Sequence, residues 1–490
     1  MNERVVIIGS GLGGLECGTI LARAGMNVSV LEKEPQLGGC LQTFRRGGLT
    51  FDTGFHYVGG LGEGESLRPL FDYFGLMNLP WKQLDTDCFD EVRIGDRRFA
   101  FAQGHERFVE TLAASFPHQR EHLKNYTEML RQVGLHIWDS LDPRDMDDFY
   151  GSSLFARSAY AWLEETITDP LLRRVLSGTS LKLELDRERL PLYVFAQINN
   201  SFIQSAWRLS GGGAQIADRL AEQIERNGGQ IRTRAEVTEL IERDGKIAEV
   251  VINGEEHLPC DYVISDAHPA LTLSLVKESA VLRGVYRKRI ERLRNSIGMF
   301  TVNIRLKKDA LPYRNSNLYL HRDDADLWNV RTDRVESVLV HFYPPEEGCY
   351  AEGIDLLTPL RKTDLPEWEH DQPGHRGAAY EAFKQQKAEE TIRFVTQHLP
   401  ELEDAIDRVW TSTPLTYEHY TGTKDGSAFG VMKDWQSPMT TVLSPRTPIQ
   451  NLLLTGQSLN LHGILGTSMT SLFTSAELLG KETIKQELKL

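Results

Sequence analysis

The sequence predicts an α/β protein built on a doubly wound parallel sheet, with an α+β region inserted between the segments of that sheet. Three observations predict it. A strand, a glycine-rich turn, a helix and a second strand open the chain. An amphipathic helix followed by a strand, a hairpin and another strand occupies residues 214–265. A strand running into a glycine, then a helix, closes the chain. With 490 residues, two or three domains of roughly 100–200 residues are expected.

The elements follow in order. Arg4-Val-Val-Ile-Ile8 is a short β-branched run and reads as a buried parallel strand. It leads into Gly9-Ser-Gly11-Leu12-Gly13-Gly14, a match to GxGxxG. A helix follows from Leu15 to Arg23, closed by Gly25. Asn27–Leu31 is a second strand ending at Glu32. This order suits a dinucleotide site of Rossmann type. Gly9 turns the chain off the strand, Gly11 lets the backbone approach a pyrophosphate, and Gly14 lets helix and strand pack closely. Glu32, about 20 residues beyond the glycines, accepts from ribose hydroxyls and repels a 2′-phosphate.

Later elements repeat the theme. Ser210-Gly-Gly-Gly213 precedes a helix from Ala214 to Asn227, with Ile216, Leu220 and Ile224 on one face. Gly228-Gly229 stops it. Gln230–Arg234 and Val237–Ile241 read as strands, Asp244-Gly245 as a hairpin turn, Ile247–Ile252 as its partner strand, and Asp261–Ser265 as another buried strand. Near the end, Asn451–Leu454 is a strand before Gly456 and Gln457. His462-Gly463-Ile464-Leu465-Gly466 precedes a helix predicted over Thr467–Leu479. No second strand–GxGxxG–helix unit is found, so a dedicated nicotinamide domain is not expected.

Composition narrows the classes. A net charge of -14 disfavours nucleic acid as a partner. Five cysteines without CxxC spacing point to a reducing compartment, the cytoplasm. The charged start predicts no secretory signal, and no apolar run reaches the roughly 18–20 residues of a spanning helix. Membrane association is expected to be peripheral at most. The basic run Arg287–Arg294 is a candidate for it, against a plain solvated helix. His118 and His122 lie four apart, but no acid completes a metal motif, and no metal is expected. Nucleophile-elbow and Walker motifs are absent.

Lys33-Glu-Pro-Gln-Leu-Gly38-Gly39-Cys40 places a double glycine just past the second strand. This resembles flavoproteins with two dinucleotide-binding domains, a superfamily that includes amine oxidases and phytoene desaturases. Three further stretches are similar to retinol saturase and carotenoid isomerase, within the FAD-dependent phytoene desaturase branch. They are Phe51-Asp-Thr-Gly-Phe-His56-Tyr57-Val-Gly, Tyr420-Thr-Gly through Gly426-Ser-Ala-Phe-Gly430, and Leu454-Thr-Gly456-Gln457 through Gly463. The resemblance implies a glutathione-reductase-like, discontinuous FAD domain from residues 1–85, 207–266 and 451–490. Residues 86–206 and 267–450 would form an α+β substrate domain, the first part mainly helical after a β ribbon near 90–101. Pro366–Gly377 reads as a mobile loop.

It also implies non-covalent FAD lined by Lys33, Gly38, Gly39, Cys40 and His56, the Val237 backbone on the adenine, and Gly456, Gln457, Gly463, Ile464 and Leu465 near the flavin. The implied reaction saturates, desaturates or isomerises carbon–carbon double bonds of an apolar polyene or isoprenoid, with hydride exchange at flavin N5. His56 and Tyr57 are the first candidates for proton transfer or substrate contact, the alternative being a structural histidine beside the cofactor. His462 reads as a helix cap, Tyr417 and Tyr420 as channel lining or core, and Leu181–Trp207 as tunnel wall or core. The electron donor or acceptor stays open among quinone, ferredoxin or flavodoxin, oxygen and free nicotinamide. Two rival functions remain: a flavin-dependent amine oxidase, and a flavin-binding escort protein that does no chemistry.

Overall fold

The computed structural model describes residues 3–137, 150–345 and 347–488. Part of the predicted helical stretch therefore lies outside the described residues.

Five short strands form one parallel sheet in the order Gln230–Arg232, Asn27–Leu31, Arg4–Ile8, Tyr262–Ser265, Leu452–Leu454. Segments more than 400 residues apart in sequence thus share one sheet. The β-branched run Arg4–Ile8 sits at its centre, where both faces are covered and only Arg4 is exposed. The helix Leu12–Arg23 packs on one face, flanked by helices Ala214–Arg226 and Gly463–Leu479. Every residue from Leu12 to Ala22 is buried. Such close approach of helix to strand needs Gly14: a Cβ there would stand 2.3 Å from the Gly9 carbonyl oxygen.

On the opposite face lies a three-stranded antiparallel sheet, Val237–Arg243, Lys246–Ile252 and Glu256–Pro259. Val6, Ile8, Val263, Leu240, Ile247 and Val250 share one hydrophobic cluster there. Asp244 (φ 52°) and Gly245 (φ 80°) make the left-handed hairpin turn between the first two strands. The third strand was not foreseen, because its residues Glu-His-Leu-Pro lie on an edge and carry no apolar run.

A seven-stranded sheet makes the second architectural layer. Its order is Ile406–Ser412, Gly298–Leu306, Gly353–Leu360, Ser337–Phe342, Asn317–His321, Asp90–Ile94, Arg97–Phe101. All neighbours are antiparallel except Asn317–His321 and Asp90–Ile94. The ribbon at 90–101 is therefore the edge of this sheet rather than a separate ribbon on a helical block. The parallel pairing that joins them spans over 220 residues of sequence, beyond the reach of local pattern.

Three local expectations differ. The closing helix starts at Gly463, not Thr467: Gly463 takes its left-handed φ of 74° at the first position, where no preceding turn is broken, and Gly466 packs in the buried part of the helix. His118 lies in a 3-10 turn (Pro117–Gln119) and His122 in the next helix (Arg120–Leu135), so they do not share a helix face. Instead His122 Nδ1 lies 2.8 Å from the Thr166 carbonyl. The basic run lies partly on the helix Gly284–Glu291, where Arg287 donates to the carbonyls of Leu273 and Val276 at the end of a neighbouring helix. Among the described residues, no helix is long and apolar enough to cross a membrane.

Candidate active site

The carboxyl ends of four parallel strands converge, and ligands in open α/β sheets bind at such a point. Here it is a cleft of ≈ 530 Å³, within the roughly 300–1,000 Å³ of ligand pockets. Ile8 passes into Gly9, Ser10, Gly11 and Leu12 along one wall. No N-cap side chain covers the helix that begins at Leu12, so its N-terminus faces the cleft, with the Gly14 amide held by Asp266. Lys33, Gly38, Gly39 and Cys40 face the same space, as do Val237 and, across it, Gln457, Gly463, Ile464 and Leu465. Gly38 (φ 109°) and Gly39 (φ 54°) hold the left-handed turn that brings this backbone to the cleft.

Glu32 closes the far end and is 7% exposed. Its Oε2 accepts from the Ser10 amide at 2.9 Å and the Ser10 hydroxyl at 2.6 Å, and its Oε1 accepts from the Glu34 amide at 2.9 Å. A carboxylate offers about four acceptor positions, so capacity remains for a ribose hydroxyl. Ser10 in turn accepts from the Gly38 amide through both its carbonyl (3.0 Å) and its hydroxyl (3.2 Å). Glu32, the glycine turn and the double glycine are thereby locked to one another. The donor set fits a dinucleotide.

Gly13, Gly14 and Gly456 do not line the cleft. They sit one layer behind, around Asp266, which follows the strand Tyr262–Ser265. A Cβ on Gly11, Gly13 or Gly456 would fall 2.3, 2.7 or 2.4 Å from an Asp266 carboxyl oxygen. Three glycines thus crowd one acid at the cleft wall, and a side chain on any of them would push the Asp266 carboxyl aside. Burial pushes the Asp266 carboxyl up to about 7, nearby Glu32 adds to the rise, and the Gly14 amide opposes it. Near neutrality such an acid is only partly ionised, which reduces the negative charge it places beside the glycine turn.

The other end of the cleft is apolar. Met299, Leu339 and Leu357 project from the seven-stranded sheet, and Leu181, Ile198 and Phe202 face them. The helix Leu192–Gln204 is thus both wall and core: Ile198 and Phe202 reach the cleft, while Leu192, Val194 and Phe195 join the main hydrophobic cluster. Tyr417 and Tyr420 both border the space, the former tied to Thr301 Oγ1 at 2.5 Å and the latter 49% exposed.

His56 and Tyr57 point to two separate polar clusters under this apolar roof. His56 Nδ1 is buried without a hydrogen-bond partner and lies 4.0 Å from Asp355 Oδ2. Its ring is 5.0 Å from that of His341. Burial, then the Arg208 charge, lowers His56 to about 4, so its imidazole is neutral at physiological pH. Asp355 accepts from Asn303 at 2.7 Å and from the Tyr343 hydroxyl at 2.5 Å, and burial raises it to about 7. Tyr57 instead donates to Asp90 Oδ2 at 2.8 Å and meets the Tyr319 hydroxyl at 2.5 Å. Lys182 Nζ reaches the same Asp90 oxygen at 3.1 Å.

His462 does not cap the closing helix by its side chain. Its Nε2 lies 3.0 Å from the Lys182 carbonyl and its ring 4.7 Å from Phe429. Sequence reasoning missed Ser10, Asp90, Lys182, Asp266, His341 and Asp355. Ser10 and Asp266 follow directly on predicted strands and were open to discovery from that position. The others are polar residues in buried strands or turns, with no local spacing that relates them.

A family model described as flavin containing amine oxidoreductase matches residues 12–287. The chain is 28% identical to an all-trans-retinol 13,14-reductase of Danio rerio, over 97% of this chain and 86% of that protein. It is 21% identical to prolycopene isomerase 2, chloroplastic, of an Oncidium hybrid cultivar, over 87% of this chain and 75% of that protein. A solved triple mutant of putrescine oxidase superposes with a TM-score of 0.66 at 15% identity, covering 98% of this chain and 99% of that one. At that identity the likeness shows the fold alone.

Proposed function

We propose, for a chain that belongs to the flavin containing amine oxidoreductase family and is an FAD-dependent oxidoreductase, that its substrate is an apolar polyene or isoprenoid whose carbon–carbon double bonds are saturated, desaturated or isomerised. One observation carries the reading: the end of the cleft away from Glu32 is roofed by Met299, Leu339 and Leu357 and walled by Leu181, Ile198 and Phe202. Burying apolar surface against it is worth roughly 25 cal/mol per Å², which suits a hydrocarbon chain. The retinoid and carotenoid relatives support the same class.

In this reading Glu32 and Ser10 hold the adenylate ribose, the Val237 backbone meets the adenine, and Gly9, Gly11 and Leu12 meet the pyrophosphate. Lys33, Gly38, Gly39, Cys40, Gln457, Gly463, Ile464 and Leu465 complete the bed, with Gly13, Gly14 and Gly456 supporting it from behind. The cofactor is held non-covalently in this reading, in keeping with a Cys40 thiol that burial pushes up to about 11. When bound, FAD supplies hydride exchange with a substrate carbon.

The chain supplies position and the second hydrogen. Tyr57 offers its ring to the substrate, since its hydroxyl is committed to Asp90 and Tyr319. His56 is the proton-carrying group. A neutral imidazole gives up one proton while taking another, and Asp355, 4.0 Å from Nδ1 and raised by burial to about 7, is partly protonated at neutral pH. In a saturation or desaturation the electrons are exchanged with a quinone, a ferredoxin or flavodoxin, oxygen or free nicotinamide; an isomerisation needs no net supply.

Anaerobic reduction of the flavin-loaded protein, followed by mixing with retinol, a carotenoid or another polyene lipid, tests the function. Reoxidation of the flavin with a change in the polyene absorbance is expected. Flavin that stays reduced with every polyene, while oxygen and a polyamine yield peroxide, would move the protein to amine oxidation. A reducible flavin with neither reaction would leave the escort role.

A further inference from the structure

The apolar end of the cleft contains a buried lysine ammonium that nucleotide binding does not use; burial lowers its pKa and Asp90 opposes the fall. Lys182 ends the 3-10 turn Ser180–Lys182, and its side chain is 6% exposed. Its ammonium lies 4.3 Å from the ring centroid of Phe202, 5.7 Å from that of Phe89, and 5.8 Å from those of Tyr57 and Tyr319. A cation within about 6 Å of an aromatic centroid is attracted by the ring quadrupole, more strongly when water is excluded. Here four rings surround one ammonium, and Asp90 Oδ2 takes a hydrogen bond from it at 3.1 Å. Four aromatic faces and a carboxylate around a primary ammonium make the chemistry of an amine-binding cage.

The cage is part of the cleft wall. Tyr57, Phe202 and Lys182 all line the space, and the ring planes of Tyr57 and Phe202 meet at a centroid distance of 4.6 Å. Asp90 is fully buried. Its other partners, the Tyr57 hydroxyl and the Asn317 side-chain amide at 2.9 Å, are neutral. Lys182 is the cation in direct contact with it. Arg208, another buried cation, donates through Nη1 to the Tyr313 hydroxyl and through Nη2 to Asn317, with its Nε–H left unpartnered and no hydrogen bond to Asp90.

We infer that Lys182 is an internal ammonium occupying a cage whose chemistry otherwise suits an amine ligand, and that it thereby sets the specificity of the cleft. With the cage filled from within, an ammonium-bearing molecule finds the carboxylate and the ring faces turned toward Lys182 already taken, and a second cation there meets like charge. Uncharged apolar molecules are left as the ones that fit. The consequence for substrate choice rests on the proposed reading of the cleft. The cage itself does not, and its test needs no polyene.

The test removes the internal ligand and offers it back. Lys182→Ala, purified with its flavin, lacks the equivalent of a propylammonium group. The probe is n-propylammonium, with 1-propanol as neutral control and sodium chloride matched for ionic strength. The variant is expected to melt below the wild type. Propylammonium should raise its melting temperature saturably, on the order of 2 °C when well above its dissociation constant. Propanol and salt should not, and the wild type should respond to none of the three. Adding Phe202→Leu to the variant should weaken the response. If Lys182→Ala is recovered only as unfolded protein, refolding yield with propylammonium against propanol reads the same preference. Equal effects of propylammonium and propanol, no effect of either, or a wild-type response as large as the variant's would overturn the inference. Failure of every polyene to reoxidise the flavin would leave this arm untouched, whereas loss of the propylammonium preference would leave the polyene reading standing.

Discussion

Glu16 sits fully buried in the glycine-turn helix, facing the closing helix across the interface that aims both N-termini at the cleft. Its oxygens lie 2.7 Å from Ser468 Oγ and 2.9 Å from Ser471 Oγ. Ser471 has one hydroxyl proton and a second acceptor in reach, the Ser468 carbonyl at 2.7 Å. A protonated Glu16 resolves that competition, because its own O–H donates to Ser471 while Ser471 donates to the carbonyl. Burial pushes Glu16 up to about 8, with the two serines opposing the rise.

The sign follows. The folded pKa lies above the unfolded value, so between about pH 4.5 and 8 the unfolded chain releases a proton that the folded one keeps, and stability falls as pH rises. At about 1.4 kcal/mol per pH unit, this acid alone removes about 3 kcal/mol between pH 6 and pH 9. Glu16→Gln keeps the shape and the neutral hydrogen bonds and cannot ionise. Denaturant unfolding of both proteins across that range should therefore show the variant gaining about 3 kcal/mol relative to the wild type. A constant difference, or a variant that loses ground toward pH 9, would mean that Glu16 is a carboxylate satisfied by both serines, and the argument from burial would be wrong.

Gly14→Ala puts a Cβ against a backbone oxygen, whereas Gly11→Ala puts one against the movable Asp266 side chain. Both should lose bound flavin, read as the ratio of blue to ultraviolet absorbance, and adding Asp266→Gly should restore it in part for Gly11→Ala alone. Glu32→Gln removes the charged acceptor of the Ser10 amide and hydroxyl. At roughly 1.5–3 kcal/mol for a charge-assisted bond, flavin titration of the apoprotein should show affinity weaker by one to two decades. His56→Gln should slow polyene-dependent flavin reoxidation by roughly 10²–10⁴-fold without a shift in melting temperature. With His56 held near 4, the wild-type rate should show no inflection from His56 between pH 6 and 8. Tyr57→Phe should cost about 1–3 kcal/mol of stability, because Asp90 loses a donor. Its rate should change less than that of His56→Gln, and the reverse order in stopped-flow traces would make Tyr57 the proton donor.

What could be read from the sequence was whatever a short stretch carries by itself. Arg4–Ile8, the glycines at 9, 11 and 14, and Glu32 belong to one βαβ unit, so their spacing records the turn and the acid that the structure brings to one end of the cleft. The Asp244-Gly245 turn and the amphipathic helix at Ala214 are equally local. The tertiary structure decided what depends on distant residues meeting. It placed Asp266 beneath three glycines, joined Asp90–Ile94 to Asn317–His321, and set Lys182 among Phe89, Phe202, Tyr57 and Tyr319. A buried charge is stable only with partners around it. Those partners come from strands, loops and a helix scattered from residue 57 to residue 319, and no local period or motif encodes such an encounter.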